Sequence, residues 1–309
     1  MNTRAPFRLL ATSLVTVTCC AVTLAAQQPR ISNGQVTAEP AGGSFPQAFR
    51  SLVAAEANVA WIGYSVPIAD GQRVMCCSGD TYIAGSVSGD GTCCGACRLE
   101  PGGEGNTTFT SRSGAAGSPV KLEGSDRMVL LFRVAERRVE RVRVFSEDCQ
   151  LDAGGRAVKW FQNVRPADSI ALLESLVGDE AERRDRVTGG ALLALSLHAD
   201  AAAGDALIRL ARSHAAARVR GDALFWLAQR AGQRAAALIT ERIEQDPDTD
   251  VKKRAVFALS QLPKDEGVPL LIKVARTNTN PAVRKQAMFW LGQSKDPRAI
   301  DFFAEILSK

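Results

Sequence analysis

Six cysteines hold most of the chemistry this chain offers: Cys76, Cys77, Cys93, Cys94, Cys97 and Cys149. Thiolates exchange disulfides, ligate zinc or attack electrophiles, depending on what surrounds them. Cys94-x-x-Cys97 has the spacing of a redox pair or of half a zinc site, and Cys76 and Cys77 would complete four thiolates. A thioredoxin-like pair needs a strand-to-helix setting, and the flanks here (DGTCCGAC) are glycine-rich instead. Six is an even number and all six fall in the N-terminal half, so in an oxidising compartment they read as a structural disulfide framework. Bonds between sequence neighbours such as Cys76 and Cys77 would be strained, so each neighbour is expected to pair elsewhere.

Histidine offers less. His198 and His214 are the only two, and each is followed by alanine, not by an acid. They give no Ser-His-Asp or Cys-His constellation, and they read as surface or loop residues. Asn106-Thr107-Thr108 matches a glycosylation acceptor but reads as plain loop. Two further sets recur along the chain. Arg220, Lys252 and Arg284 form a basic ladder, read as ties between neighbouring units through loop carboxylates such as Asp250 and Asp296. Phe225, Phe257 and Phe289 form an aromatic ladder, with Leu193 in register.

The elements that position these ladders follow from a 32-residue period. Val187, Val219, Val251 and Val283 make one column; Ala191, Ala223, Ala255 and Ala287 a second; Leu195, Leu227, Leu259 and Leu291 a third. A fourth is Leu192, Leu224, Val256 and Met288. Valine, alanine and leucine at i, i+4 and i+8 fall on one side of a helix. A second helix follows in each unit, with the columns Leu207/Ile239/Leu271/Phe303, Leu210/Arg242/Val274/Ile306 and Ala211/Ile243/Ala275/Leu307. Asn280-Pro281 and Asp296-Pro297 are expected N-caps with proline at the first helical position. Such helix–turn–helix units cannot bury an apolar face alone, and stacking four makes a continuous core. At about 100° per residue the phenylalanines lie about 240° from the column valines, away from the core face, while Trp226 and Trp290 belong with it.

The segments VRGDALFWLAQ, VKKRAVFALSQ and VRKQAMFWLGQ, beginning at Val219, Val251 and Val283, resemble HEAT repeats of the short, bilin-lyase-like kind. The resemblance covers about residues 165–309. It implies an α-solenoid, and such arrays host many roles. Some enzymes of this repeat class bind di-iron through paired His-Glu steps, which are missing here. No chromophore pocket is identifiable either.

The N-terminal half has a different texture. Arg4 and Arg8, an apolar stretch from Leu9 to Leu24 and the small pair Ala25-Ala26 are ordered as in a secretory signal peptide. Residues 27–45 read as a flexible lead-in. Residues 46–150 read as a small β-rich domain, with a strand near Asn58–Val66 and a hairpin of Met128–Val134 and Val139–Phe145. Trp160 and Phe161 are expected at the seam with a solenoid spanning 151–309, whose first helix, Ser169–Val177, is capped by Asp168 or Ser169. The chain is 46% hydrophobic and 23% charged, which is globular composition. Residues 27–150 carry 12 basic and 13 acidic side chains, and 151–309 carry 24 and 20. Neither half has the basic stripe of a nucleic-acid binder, and no segment after the leader is long enough to span a bilayer. The expectation is a two-part exported protein, periplasmic or secreted: a small disulfide-braced β-rich domain, then an all-α HEAT-like solenoid. Its expected work is protein–protein interaction, without catalysis or cofactor, with Phe225, Phe257 and Phe289 as candidate partner-binding residues. The competing expectation is an enzyme or a thiol-redox or metal module using the cysteines, or a bilin-lyase-like activity.

Overall fold

The structure, a computed structural model, describes residues 29–40, 44–70, 97–100, 125–178, 186–230 and 233–308. Its elements begin with β1 (Ile31–Ser32), β2 (Gln35–Glu39), α1 (Phe45–Ala55), β3 (Ala60–Pro67), β4 (Cys97–Arg98), β5 (Arg127–Ala135) and β6 (Arg138–Ser146). β7 (Leu151–Asp152) and β8 (Ala157–Phe161) follow. Five strands form one sheet in the order β2-β8-β3-β5-β6. β5 and β6 are the expected hairpin. Glu136 and Arg137 turn it with φ of 51° and 62°, the left-handed pair that matches strand twist in a two-residue turn.

Strand alternation divides the sheet's side chains between two cores. Ile62, Tyr64, Val66, Met128, Leu130, Phe132, Val142 and Val144 face one way, onto Phe45 and Phe49 of α1 and onto the helices that follow. Trp61, Val129, Leu131, Phe145, Val158 and Trp160 face the other. There they meet Leu99, Cys149, Leu151 and Ala153, at the small sheet of order β1-β7-β4. With both faces covered, β5 reads as an almost continuous apolar run and not as an alternation.

Three boundaries differ from the sequence reading. Residues 31–39, read as flexible lead-in, form β1 and β2, and β2 lies parallel to β8 from Gln35↔Ala157 to Glu39↔Phe161. As an edge strand with a mostly exposed side (QVTAE), it has little apolar signal. Residues 45–55, read as β-like from Phe49 on, are the helix α1. Ser44 is its N-cap, proline sits in its first turn, and Phe45 and Phe49 form its buried stripe. Leu151–Phe161, read as the opening of the helical half, completes both sheets, and Trp160 and Phe161 are sheet residues of β8. Phe161 meets Phe45 edge-on at 5.1 Å.

Beyond the sheet come α2 (Pro166–Leu176), α3 (Thr188–Leu197), α4 (Ala201–Ser213), α5 (Ala217–Gln229) and α6 (Gln233–Gln245). α7 (Thr249–Ser260), α8 (Lys264–Thr277), α9 (Pro281–Ser294) and α10 (Pro297–Leu307) complete the array. α2 starts three residues earlier than expected, because Pro166 opens it; Asp168 sits in its first turn, bound to Arg165, and is not the cap. From α3 on the helices alternate as first and second helices of four units. The alanine column is fully buried, at 0% for Ala191, Ala223, Ala255 and Ala287. Successive first helices pack closely on one another, α5 on α7 and α7 on α9, while the second helices α6 and α8 barely meet. Small residues allow that approach: a Cβ on Gly221 would stand 2.4 Å from Cδ of Arg254 on α7. Asn280 and Asp296 cap α9 and α10 as expected, accepting from the backbone N–H groups of Ala282 and Arg298.

The sheet joins the array at its first unit. Tyr64 Oη and Ser169 Oγ on α2 are 3.0 Å apart and buried. Ile68 bridges to His198 at the end of α3, and the backbone N–H of Ala69 donates to the Leu197 carbonyl at 2.8 Å. A Cβ on Gly190 of α3 would stand 2.4 Å from the Val142 carbonyl of β6. One apolar cluster runs from Phe45 to Phe302 without a break.

Candidate interaction surface

The three ladder phenylalanines come together on the outer side of the first helices. Phe225 and Phe257 are half-buried, with rings stacked 4° from parallel and centroids 5.5 Å apart. Phe289 is 53% exposed. Phe257 also meets Trp290 at 4.8 Å, Phe289 meets Trp290 at 5.0 Å, and Phe225 meets Trp226 at 5.0 Å. The result is an unbroken strip of five rings across α5, α7 and α9. Trp226 and Trp290 pack against the core, as their helical phase predicts, and the phenylalanines stand outside it. Among the described residues the sheet packs on α3 of the first unit, where Leu193 packs against the core.

Several charges beside the strip are paired with one another. Asp222 takes Arg254 from the next unit and Arg218 from its own helix, and Lys253 pairs with Asp250 at 2.7 Å. A row the sequence reading missed runs along the other side: Gln229, Gln261 and Gln293, each four residues past a ladder phenylalanine. The 32-residue spacing carries the signal. Gln229 Nε2 reaches Gln261 Oε1 only at 3.5 Å, a long contact, while Gln261 Nε2 donates to Ser260 Oγ at 3.0 Å.

The basic ladder ties units together, but not through the expected acids. Arg220 Nε and Nη2 donate to both carboxylate oxygens of Asp246, at the far end of its own unit, at 2.9 and 3.0 Å. Its Nη1 donates to the carbonyls of His214 and Ala215. Arg284 reaches the carbonyls of Asn278 and Thr279, and Lys252 that of Glu244. Asp250 instead holds Lys253, and Asp296 holds Arg298. Asp246 is 1% exposed. Burial pushes its pKa up, but Arg220 and the Asp248 N–H outweigh that and hold it below the usual carboxylate value. Asp246 belongs to a 32-residue column with His214 and Asn278. Each of the three accepts the backbone N–H two residues on, at 3.0–3.2 Å, and so shapes the turn between units.

His198 is not the surface residue the sequence suggested. It caps α3, is fully buried, and accepts the Asp200 N–H at Nδ1. Its Nε2 is buried without a hydrogen-bond partner, and burial lowers its pKa to about 4. Arg230 closes the same helix end, donating to the carbonyls of Leu195, Ser196, His198 and Asp200. His214 is half-buried at the end of α4.

Of the cysteines, Cys149 is described in full and is 2% exposed. The backbone of Cys97 lies in β4 beside Leu151. Cys76, Cys77, Cys93 and Cys94 lie outside the described residues, as do the leader segment and Asn106-Thr107-Thr108. Among the described residues no group of His, Cys, Asp and Glu is arranged to hold a metal, and no helix is long and apolar enough to cross a membrane.

Comparison with known proteins bears on the repeats. The family model for HEAT repeats matches residues 236–309. No curated protein matches the chain. Twenty chains of solved structures match. One is the X-ray structure of YibA of Escherichia coli, 24% identical over 46% of this chain and 54% of that one, with a TM-score of 0.31. The present chain thus spans about half the length of that protein. The family match does not separate the bilin-lyase type from other repeats of this kind. With four stacked helix pairs and the matched segment spanning α6 to α10, the C-terminal region of this chain is a HEAT-like repeat array.

Proposed function

We propose that this chain is a non-enzymatic exported scaffold, whose helical array docks a protein partner along the outer side of α5, α7 and α9. The aromatic strip carries this reading. Phe225, Phe257 and Phe289 stand outside the core that holds the array together, and contiguous exposed apolar surface on a folded protein marks an interaction site. Large aromatic side chains supply much of the binding energy at such sites. HEAT-like repeats suit the role, since stacked units present one long surface.

The test places a photo-crosslinking residue at Phe257 in the whole chain, with a second at exposed Lys273 on the second-helix side as control. A specific adduct from Phe257 alone, lost when Phe225 and Phe289 are both changed to serine, supports the docking surface. Equal labelling from both positions, or none from Phe257, overturns it. Export and a disulfide-braced N-terminal part belong to the same reading, supported by the leader-like first 26 residues and by the six cysteines of residues 76–149. Intact mass of the secreted chain is expected to show a start at Gln27 and every remaining cysteine oxidised; a chain keeping Met1 and free thiols refutes both.

A further inference from the structure

We propose that the last unit of the array is a self-association surface, on which a second copy of this chain docks its own α9 and α10 about a twofold axis. The inference is independent of what docks along the aromatic strip. Its first support is where apolar side chains stand open. Among the described residues the exposed large hydrophobics are Met288, Phe289, Ile300, Ile306 and Leu307, all on α9 and α10. Four of them share 32-residue columns with apolar residues that earlier units bury. Ile300 is 65% exposed where Val268 is 3%, and Leu307 is 84% exposed where Ala275 is 3%. Met288 and Ile306 stand in the same relation to Val256 and Val274, which are buried. The cause is the neighbour. α9 lies across both α7 and α8 and covers these positions; among the described residues no helix covers α9 and α10 in turn. A unit that ends a stacked array in solvent needs a polar outer face, and this one keeps methionine, isoleucine and leucine there.

The structure also bears on what covers the face. Head-to-tail stacking of copies is closed, because the other end of the array is occupied. α2 lies against both α3 and α4, and β6 presses Val142 onto Gly190 of α3. Stacking between copies is left with the same face on both sides, the isologous contact of a closed dimer. The charges suit that arrangement. Lys285, Met288 and Gly292 form an exposed stripe on α9, a helix with no acidic residue. Ile300, Ala304 and Leu307 form the stripe on α10, edged by exposed Asp301 and Glu305. A face that is basic on one helix and acidic on the other complements itself when a twofold axis runs between them and lays α9 of each copy on α10 of the other. Only Lys295 and Asp296 separate the helices, so they run in opposite directions. Lys285, in the first half of α9, then falls beside Glu305, in the second half of α10 of the second copy. Glu305 also takes Arg276 within its own chain, yet its side chain is 43% exposed. Gly292, where an added Cβ would meet nothing within 4 Å, and Ala304 leave room for close approach. The contact repeats one the array already makes, since α9 lies on the second helix α8 as it would lie on α10 of the other copy.

The two helices are only about 21 and 17 Å long, so the interface is small and the dimer is expected to be weak and reversible. Sedimentation equilibrium of the whole chain from about 1 μM to 1 mM should show a monomer–dimer equilibrium and no larger species. Ile300→Asp with Leu307→Asp changes exposed positions only; it should leave circular dichroism unchanged and the chain monomeric. The twofold axis repeats each ion pair, so Lys285→Glu should weaken the dimer about fivefold, and Lys285→Glu with Glu305→Lys should restore it. A photo-crosslinking residue at Met288, in a mixture of isotope-labelled and unlabelled copies, should link to residues 297–307 of a second copy. A monomer at every concentration, open-ended polymers, a dimer indifferent to the two aspartates, or an intermolecular adduct from Met288 to any other segment or protein overturns the inference.

Discussion

Replacing Arg220 with alanine should destabilise the array far more than the same change at its ladder equivalents Lys252 and Arg284. Asp246 is 1% exposed and holds Arg220 through two charge-assisted hydrogen bonds. Without Arg220 the carboxylate keeps the Asp248 N–H at 3.0 Å and a distant Arg242 at 3.9 Å. Breaking one side of a buried pair costs about 3–5 kcal/mol, and Arg242 offsets part of it, so about 3 kcal/mol is expected. Lys252 and Arg284 lose only bonds to carbonyls near the surface, worth about 1 kcal/mol each. At about 2–4 °C per kcal/mol for a unit of this size, Arg220→Ala should lower the melting temperature by about 6–12 °C and Arg284→Ala by about 2–4 °C. Thermal melts followed by helical circular dichroism read the difference. The double variant Arg220→Ala/Asp246→Ala should cost little more than the single one, since no charge is then stranded. The pH dependence has a definite sign. The folded pKa of Asp246 is depressed, so its contribution is present above the ordinary carboxylate value and is lost as pH falls through the folded pKa. Removing Arg220 takes away the main lowering contact and leaves burial, so the loss of stability should begin at higher pH. Equal costs at Arg220 and Arg284, or an unchanged acid limb, would refute the assignment of Asp246 as the buried anchor.

Two further outcomes test the packing. Ala255→Leu adds bulk at a fully buried position where α5, α7 and α9 crowd together, and should cost about 1–3 kcal/mol; Gln229→Leu, on the exposed side, should be close to neutral in urea unfolding, and equal costs would mean the helical phase is wrong. His198, with a folded pKa of about 4 against an ordinary value of 6.5, stabilises the fold fully above the unfolded value and progressively less as pH falls to the folded one; the difference corresponds to about 3 kcal/mol. His198→Asn keeps an acceptor for Asp200 but cannot titrate, so its stability should fall less between pH 7 and 4, and parallel pH profiles would rule out the buried histidine as their source.

The repeat was legible because its evidence is periodic. Four alanines spaced by 32 residues are hard to produce except by stacking, and the phase of the phenylalanines follows from helical geometry alone. Interactions between units were less legible, because a ladder cation has several acids within a few residues. Asp246 could be told from Asp250 only by depth: Asp246 ends a second helix and turns inward, while Asp250 sits in the exposed first turn of α7. In the N-terminal half, β2 and α1 had their own signals, a Val-Thr edge strand and a Ser-Phe-Pro helix start, but the intervening glycines and prolines read as linker. Parallel pairing of β2 with β8 joins residues more than a hundred positions apart, which no local pattern announces.

The one exception in the aromatic column ties the two halves together. Phe225, Phe257 and Phe289 share their column with Leu193. The five-stranded sheet has an apolar face broader than α1 can cover, and α2 and α3 supply the rest. Doing so brings β6 onto α3 so closely that Gly190 has no room for a side chain beside the Val142 carbonyl. A phenylalanine at position 193, one helical turn on, would bring an aromatic ring to this crowded junction; leucine packs against the core there. The first unit therefore uses its outer face to join the sheet, and the aromatic strip begins where that contact ends. In the next three units Phe225 and Phe257 are half-buried and stack across the units, while Phe289 is open to solvent. On the proposed function, a partner would lie against α5, α7 and α9 as the sheet lies against α3.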